Sequence, residues 1–221
     1  MKYLTVLCLL ASATISGNAF AQGGTKPATP APSPAAPSAA SSAASSAPQS
    51  QPTPAPLSTI AAIVENQVSG YEKKIVEAAE AMPEDKFDFS PASLNIPNSA
   101  FKDVRTFAQL LKHTATANYN FWTKLTGEKV PENVKGPNGP DQLKTKAEII
   151  QFLKDSFAVG HRAAKTLTAE NATEQLPFYR ATQPRLNIAS GAVIHDADEY
   201  GQIVEYLRMN GIVPPASRGG N

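Results

Sequence analysis

The stretch His195-Asp196-Ala197-Asp198-Glu199 sets an imidazole and a carboxylate four residues apart in a segment of helical character. Residues i and i+4 share one face of a helix, so the two side chains can grip a single divalent ion. The related H-E-x-x-H motif of zinc hydrolases is absent. The chain holds 3 histidines, His113, His161 and His195, and each falls in a segment of helical periodicity. At about 100° per residue, His161 projects within about 20° of Ile150 on the core-facing side of its segment, while His113 lies at the edge of its apolar arc. On these residues alone, a metal site and hydrogen-bonded core histidines both stay open. Asp196 and Asp198 read as a solvated face, and Tyr119, Trp122 and Tyr200 as packing residues.

Four helical segments must position these groups. Ile60, Ile63, Val64, Val68, Tyr71, Ile75 and Ala79 recur at threes and fours, which predicts a helix from Ser58 to Met82 with Ser58 as its N-cap. A proline-interrupted connection follows, expected to pack Phe87 and Phe89 onto the end of the bundle. Val104, Phe107, Leu110, Leu111, Thr114, Ala117, Phe121 and Leu125 predict a second helix over 101–126. Residues 127–140, with the run Gly136-Pro137-Asn138-Gly139-Pro140, can only be a loop. A third helix is expected over 141–169, a second long loop over 170–186, and a fourth helix over 187–210, capped by Asn187 and stopped by Gly211 and Pro214-Pro215. The apolar residues of the fourth helix spread around its circumference, so it is buried on two sides or meets a partner subunit. No period-2 strand pattern is visible, and the fold class is an all-α four-helix bundle with long crossover loops.

Residues 1–21 carry Lys2, a short apolar run and Ala19-Phe20-Ala21 ahead of Gln22, the pattern of a cleaved secretory signal peptide. The run is too short to span a bilayer. Export to the periplasm or medium is expected, with no membrane anchor after cleavage. Cys8 is the one cysteine and lies in the removed segment, so the mature chain has neither disulfides nor a thiol nucleophile. Residues 22–56 are almost entirely Ala, Pro, Ser, Gln and Thr and cannot bury enough apolar surface to offset ordering, which predicts a disordered linker. Residues 57–217 suffice for a single core. With 20 basic against 19 acidic residues and no basic block, the chain offers no nucleic-acid surface.

The segments MPEDKFDFSP, VRTFAQLLKHTATANYNFW, KAEIIQFLKDSFA and HDADEYGQIVEYLRMNGIVPP, in that order, resemble the markers of the DinB-like superfamily, also called the damage-inducible DinB family. The resemblance implies an up-down-down-up bundle, commonly a homodimer, and explains why the loop over 127–140 is long. It also implies a divalent metal, zinc or nickel, held by a histidine of the second helix and an H-x-x-x-H pair opening the fourth. By position, His113 matches the first and His195 begins the pair, with Glu199 where the second histidine is expected. His161 stands where the family often has an acidic residue, as a substitute ligand or a residue supporting the ligands. With helices two and three parallel and helix four antiparallel to them, His161 and His195 each lie about 10 Å from the shared bundle end, and His113 and Glu199 a turn further up.

Three functions follow as expectations. One is an exported metal-binding protein with transferase or hydrolase chemistry on a small substrate. Another, implied by the resemblance, is a metal-dependent thiol S-transferase, its thiol a co-substrate because the mature chain would supply none. The last is a non-catalytic bundle whose metal site has degenerated. No Ser-His-Asp arrangement, P-loop or dinucleotide-binding signature is present.

Overall fold

The computed structural model describes residues 58–219. The expected signal peptide at 1–21 and linker at 22–56 lie outside the described residues. The first helix, α1, runs Ile60–Ala81 and is capped by Thr59 rather than Ser58, the Thr59 hydroxyl accepting from Ala62 N–H at 3.0 Å. It stops where Met82, preceding Pro83, turns extended.

The second helix, α2, is Phe107–Thr126 and begins six residues later than its periodicity suggests. Its first donors are already claimed by the turn that follows Lys86, for Phe107 N–H bonds Phe89 O at 2.9 Å and Ala108 N–H bonds Phe87 O at 2.8 Å. A reciprocal capping box between Thr106 and Gln109 then fixes the start. The same hydrogen bonds dock Phe87, edge-on to Phe107 at 5.3 Å, and Phe89, edge-on to Tyr206 at 5.8 Å, as expected of that connection.

The third helix, α3, is Lys146–Ala164, shorter at both ends than 141–169, and opens on a capping box of Thr145 and Glu148. The loop beyond it departs from the sequence expectation. It contains a two-stranded antiparallel hairpin, β1 (Gln175–Phe178) and β2 (Ala181–Pro184), with Phe178 paired to Ala181 across a two-residue turn. Each strand is only four residues long and carries a proline, tolerable because both strands of a two-stranded ribbon are edges.

The last helix, α4, is Arg185–Met209. Asn187 is not its cap. Arg185 N–H bonds Glu174 O at 2.9 Å and Leu186 N–H bonds Ala172 O at 3.0 Å, so backbone ahead of the hairpin satisfies the helix start, and the Asn187 amide instead donates to Gln183 Oε1 at 2.7 Å. The C-terminus closes as expected around Gly211. With φ of 73°, it lets its own N–H reach Arg208 O and that of Ile212 reach Leu207 O.

Hydrogen bonds give the helix directions. Lys146, opening α3, donates to the Glu80 and Met82 carbonyls at the end of α1, while His161 near the end of α3 meets Glu65 and Glu72 further back along α1. These two helices are therefore antiparallel. Tyr206, late in α4, donates to the carbonyl of Arg105 just before α2 at 2.9 Å, making that pair antiparallel as well. Because α2 and α3 both start beside the end of α1, they are parallel, and the topology is up-down-down-up. Trp122, Phe107, Phe157, Ile75, Leu153, Ile203 and Leu207 fill the core. Both arcs of α4 are buried within the chain, Ile188, Ala192 and Ile203 on one and Val193 and Val204 on the other. Among the described residues, no helix is long and apolar enough to cross a membrane.

Candidate metal centre

Antiparallel packing of α2 and α4 brings His113 and the His195/Glu199 pair face to face. Nε2 of His113 and Nε2 of His195 each lie 3.5 Å from Oε1 of Glu199, and one donor atom from each of the three residues falls within 4.8 Å of the others. The two imidazole rings stand 5.2 Å apart between centroids. Ligands around a tetrahedral ion with bonds of about 2.1 Å sit about 3.4 Å from one another, so both separations to Glu199 suit a shared ion. They are too long for good hydrogen bonds.

The protonation states agree with that reading. Nδ1 of His113 faces the carbonyl of Pro137 and donates to it, which fixes the tautomer and turns the Nε2 lone pair toward Glu199. Burial lowers the pKa of His113, with the nearby Arg105 charge adding to the effect against the Pro137 bond. Burial, and then the neighbouring His113, push His195 down to about 4. Both rings are therefore neutral at pH 7, the form a metal requires. Burial raises Glu199 to about 7, with Arg105 pulling in the opposite direction. Oε2 of Glu199 is buried with no hydrogen-bond partner. Two imidazole nitrogens and a carboxylate oxygen thus converge at separations too long for good hydrogen bonds, with His195 Nδ1 and Glu199 Oε2 buried without partners, a set of ligand types that fits a divalent cation.

The loop following α2 supports this face. Pro137 holds His113, Asn138 Oδ1 accepts from Arg105 Nε at 2.9 Å, and Pro140 O accepts from Lys112 Nζ at 3.0 Å. Gly139, at φ 68°, is pressed so close to α2 that an added Cβ would lie 2.9 Å from Lys112 Cβ. Arg105 and Pro137 were not singled out by the sequence. A basic residue ahead of a helix carries no distinguishing pattern, and Pro137 acts through its carbonyl, which no residue type announces.

His161 is not part of this group. It projects from α3 toward α1, with Nδ1 2.8 Å from Glu65 Oε1 and Nε2 2.7 Å from Glu72 Oε2. Its angle from Ile150 placed it on the core-facing side, whereas it sits half-buried at the seam with α1, against two partly exposed glutamates, rather than beside α2 and α4. Asp196 also departs from expectation. Instead of being solvated it is completely buried, with both oxygens unpartnered. Its pKa is raised well above the ordinary value by burial, which the nearby Asn118 amide only partly offsets. Asp196 continues the spacing of Ala189, Ala192 and Val193 toward Ile203 and Leu207, all buried. That repeat was the available signal.

Residues 70–203 match the DinB superfamily, more than half of the chain. Among solved structures, the fold is similar to that of a DinB-like protein from Bacillus cereus, with a TM-score of 0.55 and 17% identity over 75% of this chain and 99% of that one. At such identity the likeness bears on the fold alone. No curated protein matches the chain. The sequence match, the up-down-down-up bundle and the structural neighbour agree, and the chain belongs to the DinB superfamily.

Proposed function

We propose that this protein binds one divalent metal, zinc or nickel, through His113, His195 and Glu199, and uses it for transferase or hydrolase chemistry on a small molecule. The observation that carries this reading is the convergence of three ligand-type side chains, with both imidazoles 3.5 Å from one carboxylate oxygen. A metal with three protein ligands keeps a position for water or substrate, whose pKa it lowers toward neutrality. The protein's own part is to hold that position. The Pro137 carbonyl orients His113, and burial keeps both imidazoles unprotonated. The Arg105 charge, which opposes the burial-driven rise at Glu199 and adds to the fall at His195, favours an anionic ligand beside them.

The protein acts outside the cytoplasm on this reading, supported by the Ala19-Phe20-Ala21 cleavage pattern. Metal analysis of the full chain, purified without an affinity tag, tests the central point. About one equivalent of zinc or nickel is expected, and binding no tighter than that of a His113→Ala variant would leave a bundle with a degenerate site. Turnover that requires an added low-molecular-weight thiol would narrow the chemistry to S-transfer.

A further inference from the structure

A file of aromatic rings leads from solvent to the proposed metal centre. Phe121 of α2 lies 6.1 Å from the His195 ring, Phe178 at the end of β1 lies 5.0 Å from Phe121, and Tyr179 stands edge-on to Phe178 at 4.5 Å. Exposure rises outward along the file. Phe121 and Phe178 are half-buried, and Tyr179 is 75% exposed, the highest of the exposed large hydrophobic residues. Single exposed apolar residues are ordinary, whereas a continuous row ending on a candidate ligand is not.

Two backbone features place the row. Gly191 lies one helical turn before His195, and a Cβ there would come within 3.0 Å of Phe121 Cε1. The missing side chain lets the Phe121 ring lie against α4 next to His195. At the hairpin tip, Tyr179 adopts φ of 50°, a conformation that glycine enters freely and a bulky residue does not. The first central position of a two-residue hairpin is also where glycine serves best. Tyrosine there opposes the preference of the turn, and its ring stands in solvent instead of adding to the core.

We propose that Phe121, Phe178 and Tyr179 form one wall of a substrate subsite that receives a flat apolar group, such as an aromatic ring, while the substrate's polar head reaches His113, His195 and Glu199. The proposal rests on the metal reading given above. The side chains of His113 and His195 are 20% and 24% exposed, which leaves their edges open to an approaching ligand. Edge-on and offset ring contacts then reward an aromatic substituent more than an alkyl one of like size.

A pair of probes sharing one zinc-binding head separates the two ideas. Acetohydroxamate and benzohydroxamate are titrated into the zinc-loaded full chain. Benzohydroxamate is expected to bind about tenfold more tightly, a difference set by the ring contacts. Tyr179→Gly and Phe178→Ala should each bring the preference down toward parity and leave acetohydroxamate binding unchanged. Tyr179→Gly also relieves the positive φ, so its thermal midpoint should not fall, and it keeps the test decisive should Phe178→Ala fold poorly. Zinc binding with equal affinity for the two hydroxamates, or a preference untouched by both substitutions, overturns the subsite and leaves the metal reading standing. Failure of the parent chain to bind either zinc or nickel overturns both. A dimer in sedimentation that Tyr179→Gly dissolves, with the hydroxamate preference intact, assigns the ring to contact between copies and also overturns the subsite.

Discussion

Glu199 is the residue on which the centre depends, because its Oε1 is the atom that both histidines approach. Glu199→Ala should weaken zinc binding by at least about tenfold, while Glu199→His should retain it, since a third imidazole is equally acceptable to zinc. Calorimetric titration of metal-stripped protein reads both. Affinity should fall as pH drops below about 7, where the buried Glu199 carboxyl takes up the proton that zinc must displace. His161 behaves oppositely. Burial alone would lower its pKa, but hydrogen bonds to Glu72 and Glu65 outweigh this and raise it. A folded-state pKa above the unfolded value of about 6.5 makes the clamp stabilising at low pH and loses that contribution as pH rises through the folded value. His161→Ala should therefore cost about 1 kcal/mol near pH 6 and less near pH 9, and leave zinc affinity unchanged. Denaturant unfolding at the two pH values checks the sign. His113, His195 and Glu199 were legible as candidates because ligand type and i, i+4 spacing are written in the chain. The partners of His161 were not, since they depend on which neighbour its face meets.

At the scale of elements, periodicity located all four helices but overran the starts of the first three and began the fourth two residues late. The true boundaries sit at hydrogen-bonded caps, Thr59, Thr106 and Thr145, and at backbone donors already claimed by Phe87 and Phe89. Those of α2 and α3 were visible as T-x-x-Q and T-x-x-E capping boxes, whereas the docking of Phe107 and Ala108 onto an earlier segment is tertiary. The hairpin of β1 and β2 escaped notice because two four-residue strands with prolines hold too few alternations to register. The strap over α2 gives a prediction of its own. Gly139→Ala combines a positive φ with a contact of 3.0 Å to the Lys112 carbonyl, and should cost about 1–3 kcal/mol in the loop. If the strap orients His113 through Pro137, zinc affinity should fall too, with the global unfolding midpoint moved much less than by a core substitution. Hydrogen exchange over 134–142 alongside zinc titration distinguishes local loosening from general instability.

For the whole molecule, the bundle was legible because a crossover loop rich in glycine and proline between two helices permits them to run parallel. Both arcs of α4 are buried against α1 and α2 within the chain, the first of the two arrangements its spread of apolar residues allowed. The same burial explains how Asp196 came to sit in the core one residue from a candidate ligand. The composition of residues 22–56 predicts that a chain starting at 57 keeps its unfolding midpoint within about 5 °C of a chain starting at 22, worth about 1 kcal/mol for a domain of this size. Thermal unfolding of the two proteins makes the comparison.

The most direct test of the central claim is anomalous diffraction above and below the zinc absorption edge, from crystals of the full chain grown with one equivalent of zinc. The expected result is one strong anomalous peak within about 2.3 Å of His113 Nε2, His195 Nε2 and a Glu199 carboxylate oxygen. No peak there, or a single strong peak between His161 and the carboxylates of Glu65 and Glu72, would contradict it.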